Sequence, residues 1–227
     1  MVYFLSSSGE GIELYAETEQ GVMDVQQEGY WRCIEFAEPD KVHPSALGEN
    51  KSAQEQGYWV KPETMPKQYL WANGSKPLPD VLPGMVVCPR FKELVDQFEP
   101  GVHQFIPVAI FKAKGEEAVA TYYWFIVGQR LDSVDRERTT YMWKAPDDDP
   151  QAGHWVDRHF DPATSRMIRL PDASLAFSSD MISGHHIWHD PHLLGQNNPL
   201  CSDEVADALQ GAGFTGLAIT PRERGQS

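Results

Sequence analysis

The hydrophobic period of the chain changes from 3.6 to 2 across residues 89–127, and few architectures satisfy both halves. In the first half Phe91, Leu94, Val95 and Phe98 fall at i, i+3, i+4 and i+7, which gives a helix one apolar stripe. Lys92, Glu93, Asp96 and Gln97 fall on the opposite side. Pro89 suits a first helical position, where its missing N–H costs nothing, and Pro100-Gly101 stops the helix. The spacing therefore predicts a helix over 89–98 with Leu94 buried beneath it. In the second half, Ile106, Val108 and Ile110 alternate with Phe105, Ala109 and Phe111 between Gln104 and Lys112. Lys114-Gly115-Glu116 makes a turn, and Ala118–Val127 returns with Val119, Thr121, Tyr123, Phe125 and Val127 on one side. Two alternating runs joined by a short turn predict a hairpin, and apolar residues on both faces predict cover on both sides. Pro107 has no N–H to donate, so the first strand is an edge at that point or starts after it. A one-striped helix beside such a hairpin implies an α+β protein: a mainly antiparallel sheet with a few packed helices.

The rest of the chain supports that class with weaker signals. Ser202 reads as a helix cap, with Asp203 and Glu204 at the positive end of the dipole and Val205, Ala208 and Leu209 facing inward. Gly211 and Gly213 end this helix, and 216–220 reads as a strand. Weaker strands fall at Thr139–Trp143, His154–Phe160, Arg166–Leu170 and Ser174–Phe177. Residues 41–84 are rich in Pro, Gly and polar residues, but they also hold Tyr58, Trp59, Tyr69, Leu70 and Trp71, so they read as packed loop with short strands. The division expected is an acidic N-terminal region over 1–80, packed against the rest, a domain over 81–220 and a tail over 221–227.

Charge narrows the function classes. The 227 residues carry a net charge of −14. Such a field repels nucleic acid and anionic membranes and draws in a basic partner. Residues 1–40 alone hold nine carboxylates against Arg32. Glu10, Glu13, Glu17 and Glu19 in that segment, and Asp147, Asp148 and Asp149 in a later loop, are the candidate partner-binding residues. Three like charges in a row are hard to bury, so the loop is expected at the surface. Cys33, Cys88 and Cys201 are odd in number, far apart and outside any CxxC, which fits a reducing compartment. The N-terminus lacks a basic segment and a long apolar core, and the longest apolar-rich run, 118–127, is about half a membrane span. A cytoplasmic location is expected.

The densest candidate for chemistry is Ser183-Gly184-His185-His186-Ile187-Trp188-His189-Asp190-Pro191-His192, which holds four of the eight histidines. Gly184 and Pro191 leave too little room for a helix. As a strand, His185, Ile187 and His189 share a face, and two histidines there could ligate zinc given a third ligand from elsewhere. A metal-dependent hydrolase built on His185, His189 and a distant carboxylate is thus the alternative reading. The string Gly184-His185-His186 is similar to a signature of histidine-metal nuclease toxins, but such nucleases carry basic surfaces for DNA. The main expectation is histidines that pack and hydrogen-bond, with no metal and no cofactor. There is no GxSxG, HExxH or GxxxxGK[ST]. Gly211, Gly213 and Gly216 spell GxGxxG, but after a helix and before a strand, which makes a helix cap and turn rather than a dinucleotide site. Each cysteine reads as a buried structural thiol. Asp132 and Asp135 sit among Arg130, Arg136 and Arg138 and read as an ion-paired turn.

Four stretches between about residues 80 and 220 resemble the eleventh immunity family of bacterial polymorphic-toxin systems, formerly a domain of unknown function. VCPRFKELVDQF at 87–98 looks like that family's amphipathic helix. EPGVHQFIPV at 99–108 is similar to its Pro-Gly stop and Phe-x-Pro-Val strand. Residues 122–135, ending in QRLDSVD, look like its second strand and acidic turn. SDEVADALQGAGFTGL at 202–217 resembles its closing helix and Thr-Gly strand. The resemblance implies an inhibitor that neutralises a cognate toxin by occlusion, without turnover. A scaffold role within a secretion apparatus is a third reading.

Overall fold

The computed structural model describes residues 1–8, 15–18, 21–24, 34–35, 59–60, 67–71, 77–112, 117–151, 153–170, 173–193 and 198–222. The elements begin with strands β1 (Val2–Ser7), β2 (Tyr15–Thr18), β3 (Gly21–Asp24), β4 (Ile34–Glu35), β5 (Trp59–Val60), β6 (Gln68–Leu70), β7 (Val81–Leu82) and β8 (Val86–Val87). Helix α1 (Pro89–Phe98) leads into β9 (Gln104–Phe111) and β10 (Ala120–Ile126). Four short strands follow: β11 (Met142–Lys144), β12 (His154–Val156), β13 (Arg158–Asp161) and β14 (Arg166–Arg169). The chain closes with α2 (Ser179–Ile182), β15 (Ile187–Trp188), β16 (Leu200–Ser202), α3 (Asp203–Ala212) and β17 (Leu217–Pro221). The architecture is α+β, and among these strands every pairing but one is antiparallel.

A four-stranded sheet of order β15-β16-β1-β17 sets the plan. Strands β1, β15 and β16 are apolar on both faces, so each face needs its own cover. In β1, Val2 and Phe4 point into one core, while Leu5 enters the other. Ile187 and Trp188 of β15 divide the same way, as do Cys201 and Leu200 of β16. The sheet is a wall with a core on each side.

The larger core lies between this wall and a five-stranded sheet of order β6-β9-β10-β8-β7. Helices α1 and α3 supply Phe91, Val95, Val205, Ala206 and Leu209 to it. Phe91 meets Phe125 and Phe214 edge-on, both at 5.5 Å between ring centroids. Beyond the wall, the smaller core gathers Val134, Trp155, Leu175, Phe177 and Leu193 from loops and short strands.

Chain ends and middle are sewn together by specific bonds. Strand β1 pairs with both β16 and β17. The Thr215 hydroxyl accepts from the Asp80 N–H at 3.0 Å and donates to the Asp80 carboxylate at 2.8 Å. Val81 N–H then bonds Thr215 O at 3.0 Å. A Cβ on Gly216 would lie 2.2 Å from Val81 O, and Gly216 has φ +77°. Only glycine allows that approach. Gly213 caps α3 in the left-handed region at φ +66°, and Ser202 caps its start by accepting from Val205 N–H at 3.4 Å. The GxGxxG string is thus a cap and a close contact; Gly211 lies within the helix.

Several details depart from the sequence reading. Leu94 is half-buried, as is Phe98, because α1 is gripped along its Phe91–Val95 line. In α3 the inward residues are Val205, Ala206 and Leu209, and Ala208 is half-buried. The covered face of β10 holds Tyr122, Trp124 and Ile126; on the opposite face Thr121 and Val119 are exposed and Tyr123 is half-buried, while Phe125 is buried there by Phe91 and His103. Segment 154–160 breaks into β12 and β13 at Asp157, and 174–177 forms no named strand but isolated bridges, among them Phe177 to Val134. Pro107 lies within β9. Ala109 N–H points to β6, bonding Lys67 O at 2.9 Å, so Pro107 by alternation faces the same side, ahead of the point where β6 begins. Among the described residues, the strand is an edge there.

Candidate functional site

The histidine run is wired into the fold. Glu99, at the end of α1, sends its buried carboxylate under this run. It accepts from His186 N–H at 2.8 Å and Ile187 N–H at 3.0 Å, and His103 Nε2 lies 2.7 Å away. Gly128 N–H donates to His103 Nδ1 at 3.3 Å, so Nε2 carries the proton given to Glu99. Burial alone would raise the Glu99 carboxyl, but His103 and the two N–H groups outweigh it and hold it below the usual range. Asp190, also buried, accepts from Ser133 N–H at 2.7 Å, the Ser133 hydroxyl at 2.8 Å and His192 N–H at 2.8 Å. Its burial outweighs these bonds and raises its carboxyl. Trp188 Nε1 donates to the Ser133 hydroxyl at 3.0 Å, and His192 Nδ1 donates to Gly153 O at 2.9 Å.

His185 and His189 flank the two-residue strand β15, and both are half-buried. His185 N–H turns back to Ile182 O at 3.1 Å, and His189 N–H bonds Gln129 O at 3.1 Å. Among the described residues no group of three His, Cys, Asp or Glu is placed to hold a metal ion. Burial, with Arg130 and His103 nearby, pushes His189 well below its ordinary value, so it is neutral when folded. The unfolded chain takes up a proton there below about pH 6.5, which the folded chain refuses. Stability should therefore be full above that pH and fall as pH drops, by at most about 1.4 kcal/mol per unit from this group. Urea midpoints at pH 7 and 5 should differ more in the wild type than in His189→Gln.

Cys88 and Cys201 are buried free thiols, and burial raises both; Cys33 lies outside the described residues. Asp132 pairs with Arg136 at 2.9 Å, and Asp135 caps its own turn by accepting from Glu137 and Arg138 N–H.

The acidic candidates are dispersed along the chain. Asp147, Asp148 and Asp149 are exposed in the loop between β11 and β12. Asp149 accepts from Gln151 N–H at 3.0 Å, and Trp143 Nε1 donates to Pro150 O at 2.9 Å, which anchors the loop base. Glu17 lies in β2 opposite Val22; Glu10, Glu13 and Glu19 lie outside the described residues.

Another surface was not singled out by the sequence. Hairpin β13–β14 pairs Phe160 with Met167 and Arg158 with Arg169. Phe160 is 57% exposed and Met167 53%. The sequence marks both runs as weak strands, but it cannot show that this hairpin stands clear of both cores.

A comparison with curated proteins finds no match. The model of the immunity protein family Imm11 matches residues 35–223, which extends the resemblance upstream into the proline-rich stretch and spans most of the described fold. On that match, the chain belongs to the Imm11 immunity protein family.

Proposed function

We propose that this protein binds a cognate polymorphic toxin and neutralises it by stoichiometric occlusion, without catalysis of its own. The observation that carries this reading is the family match over 35–223. The geometry supports it: Glu99 and Asp190, the buried carboxylates at the histidine run, are each committed to backbone N–H groups rather than to an open pocket. Among the described residues, His185 and His189, the ligands of the hydrolase alternative, are joined by no third ligand. Co-expression tests the proposal. Cells carrying the toxin domain encoded beside this gene should survive when the chain is present and die when it is absent; equal killing in both would overturn it.

The partner is a basic toxin domain met in the cytoplasm. Nucleic acid and membranes are not its targets; its net charge of −14 disfavours both. Asp147–Asp149, with Glu10, Glu13, Glu17 and Glu19, steer capture. Exposed charges at an interface rim set association rate more than dissociation. Changing Asp147, Asp148 and Asp149 to Asn should slow association several-fold at low salt. The difference should vanish near 1 M salt, where the Debye length is about 3 Å. Stopped-flow association at two salt concentrations checks this.

A further inference from the structure

We propose that hairpin β13–β14 is the anchor that enters the toxin, through one face carrying Arg158, Phe160, Met167 and Arg169. The inference rests on the toxin-binding reading and adds the docking surface and its chemistry.

Cross-strand partners share a face, so Phe160 and Met167 form one apolar pair, and Arg158 and Arg169 flank it. All four side chains are exposed. Among the described residues six large apolar side chains are exposed, and Phe160, Met167 and Ile168 of this hairpin are three of them. No residue of the hairpin belongs to either core. Clustered exposed apolar residues mark contact surfaces. The tip is well formed. Asp161 accepts from Ala163 N–H at 2.9 Å and from the Thr164 hydroxyl at 2.7 Å.

Charge selects the occupant. Like charges directly opposite each other destabilise a pair of strands. Among the described residues, Asp157 alone pairs with the two guanidiniums, 3.7 Å from Arg158 Nε and 3.4 Å from Arg169 Nε. The face therefore keeps a net positive charge on a strongly acidic protein. A second copy of this chain, docked by a two-fold axis, would set arginine pair against arginine pair. The surface that fits is a toxin pocket with an apolar floor for Phe160 and Met167 and carboxylates at its edge for Arg158 and Arg169. Aromatic and arginine side chains are the commonest interface anchors. Remote acid then draws in a basic toxin, while this hairpin holds it.

The test uses the full chain and the purified toxin domain encoded beside its gene. Phe160→Ser with Met167→Ser should raise Kd at least 30-fold while the urea midpoint stays at the wild-type value. Arg158→Glu with Arg169→Glu should raise Kd about tenfold, less at high salt. In the wild-type complex, hydroxyl-radical oxidation of Met167 should fall at least fivefold, a readout independent of any variant's folding. Wild-type binding with unchanged Kd in both variants and unprotected Met167 would overturn the inference and leave the toxin-binding reading standing. A wild-type dimer in sedimentation that the serine variant abolishes would reassign the face to self-association and overturn it too. Failure of the wild type to bind would remove the functional reading, and this inference with it.

Discussion

Replacing Phe91 by alanine should destabilise the protein by about 3–5 kcal/mol, the range for a fully buried aromatic. The ring is completely buried, and it sits where α1, β10 and the end of α3 meet. Phe125 packs on it from the sheet and Phe214 from beyond the Gly213 cap, so truncation opens a cavity that neither side can fill alone. Leu94, one turn along the same stripe, is half-buried, and Leu94→Ala should cost less than about 2 kcal/mol. Paired urea denaturation of the two variants checks the facing of the helix. Equal losses would mean that the stripe, rather than the Phe91–Val95 line, is what the fold grips.

Glu99→Leu should cost about 3–5 kcal/mol, although leucine is a better core residue by hydrophobicity. The carboxylate accepts from His103 and from the N–H groups of His186 and Ile187, and it joins the end of α1 to β15. Leucine leaves all three donors without that acceptor, those of His103 and Ile187 buried, and each buried unpaired group costs about 1–3 kcal/mol. Glu99→Gln should cost less, because the amide oxygen still accepts from one of the N–H groups. The sign with pH follows from the lowered carboxyl. Its contribution is present above the ordinary carboxylate range and is lost as pH falls through the lower folded value. Denaturation at pH 7 and pH 3 should show the wild-type advantage over Glu99→Leu shrinking in acid. An advantage unchanged at pH 3 would mean that the side chain acts by shape alone.

What the sequence reveals and what it hides divide along local and tertiary lines. Helix α1, the β9–β10 hairpin and the Ser202 and Gly213 caps of α3 were legible because each depends on residues within a few positions. Strand β1 was not assigned: Val2-Tyr3-Phe4-Leu5 is a continuous apolar run, and such a run shows no period until both of its covers are known. The parallel pairing of β6 with β9 is likewise set at a distance. Glu99 looks in sequence like an ordinary solvated residue after a helix; its burial comes from β15, some ninety positions on. The histidine run drew attention by its density, but its role is set by Glu99, Ser133 and Gly153, which no spacing rule links to it. The exposure of Asp147–Asp149 was legible, since three adjacent carboxylates have no affordable burial. The exposure of Phe160 and Met167 was not, because large apolar residues in a strand ordinarily lie on a covered face.

Neutralisation by occupancy has a stoichiometric signature. Its most direct measurement is residual toxin activity titrated with purified chain at toxin concentrations well above Kd. Occupancy predicts a straight fall to zero at one chain per toxin, with full activity recovered when the complex is denatured and the toxin alone refolded. Inactivation by far less than one equivalent, or a toxin that stays active when saturated with the chain, would contradict it.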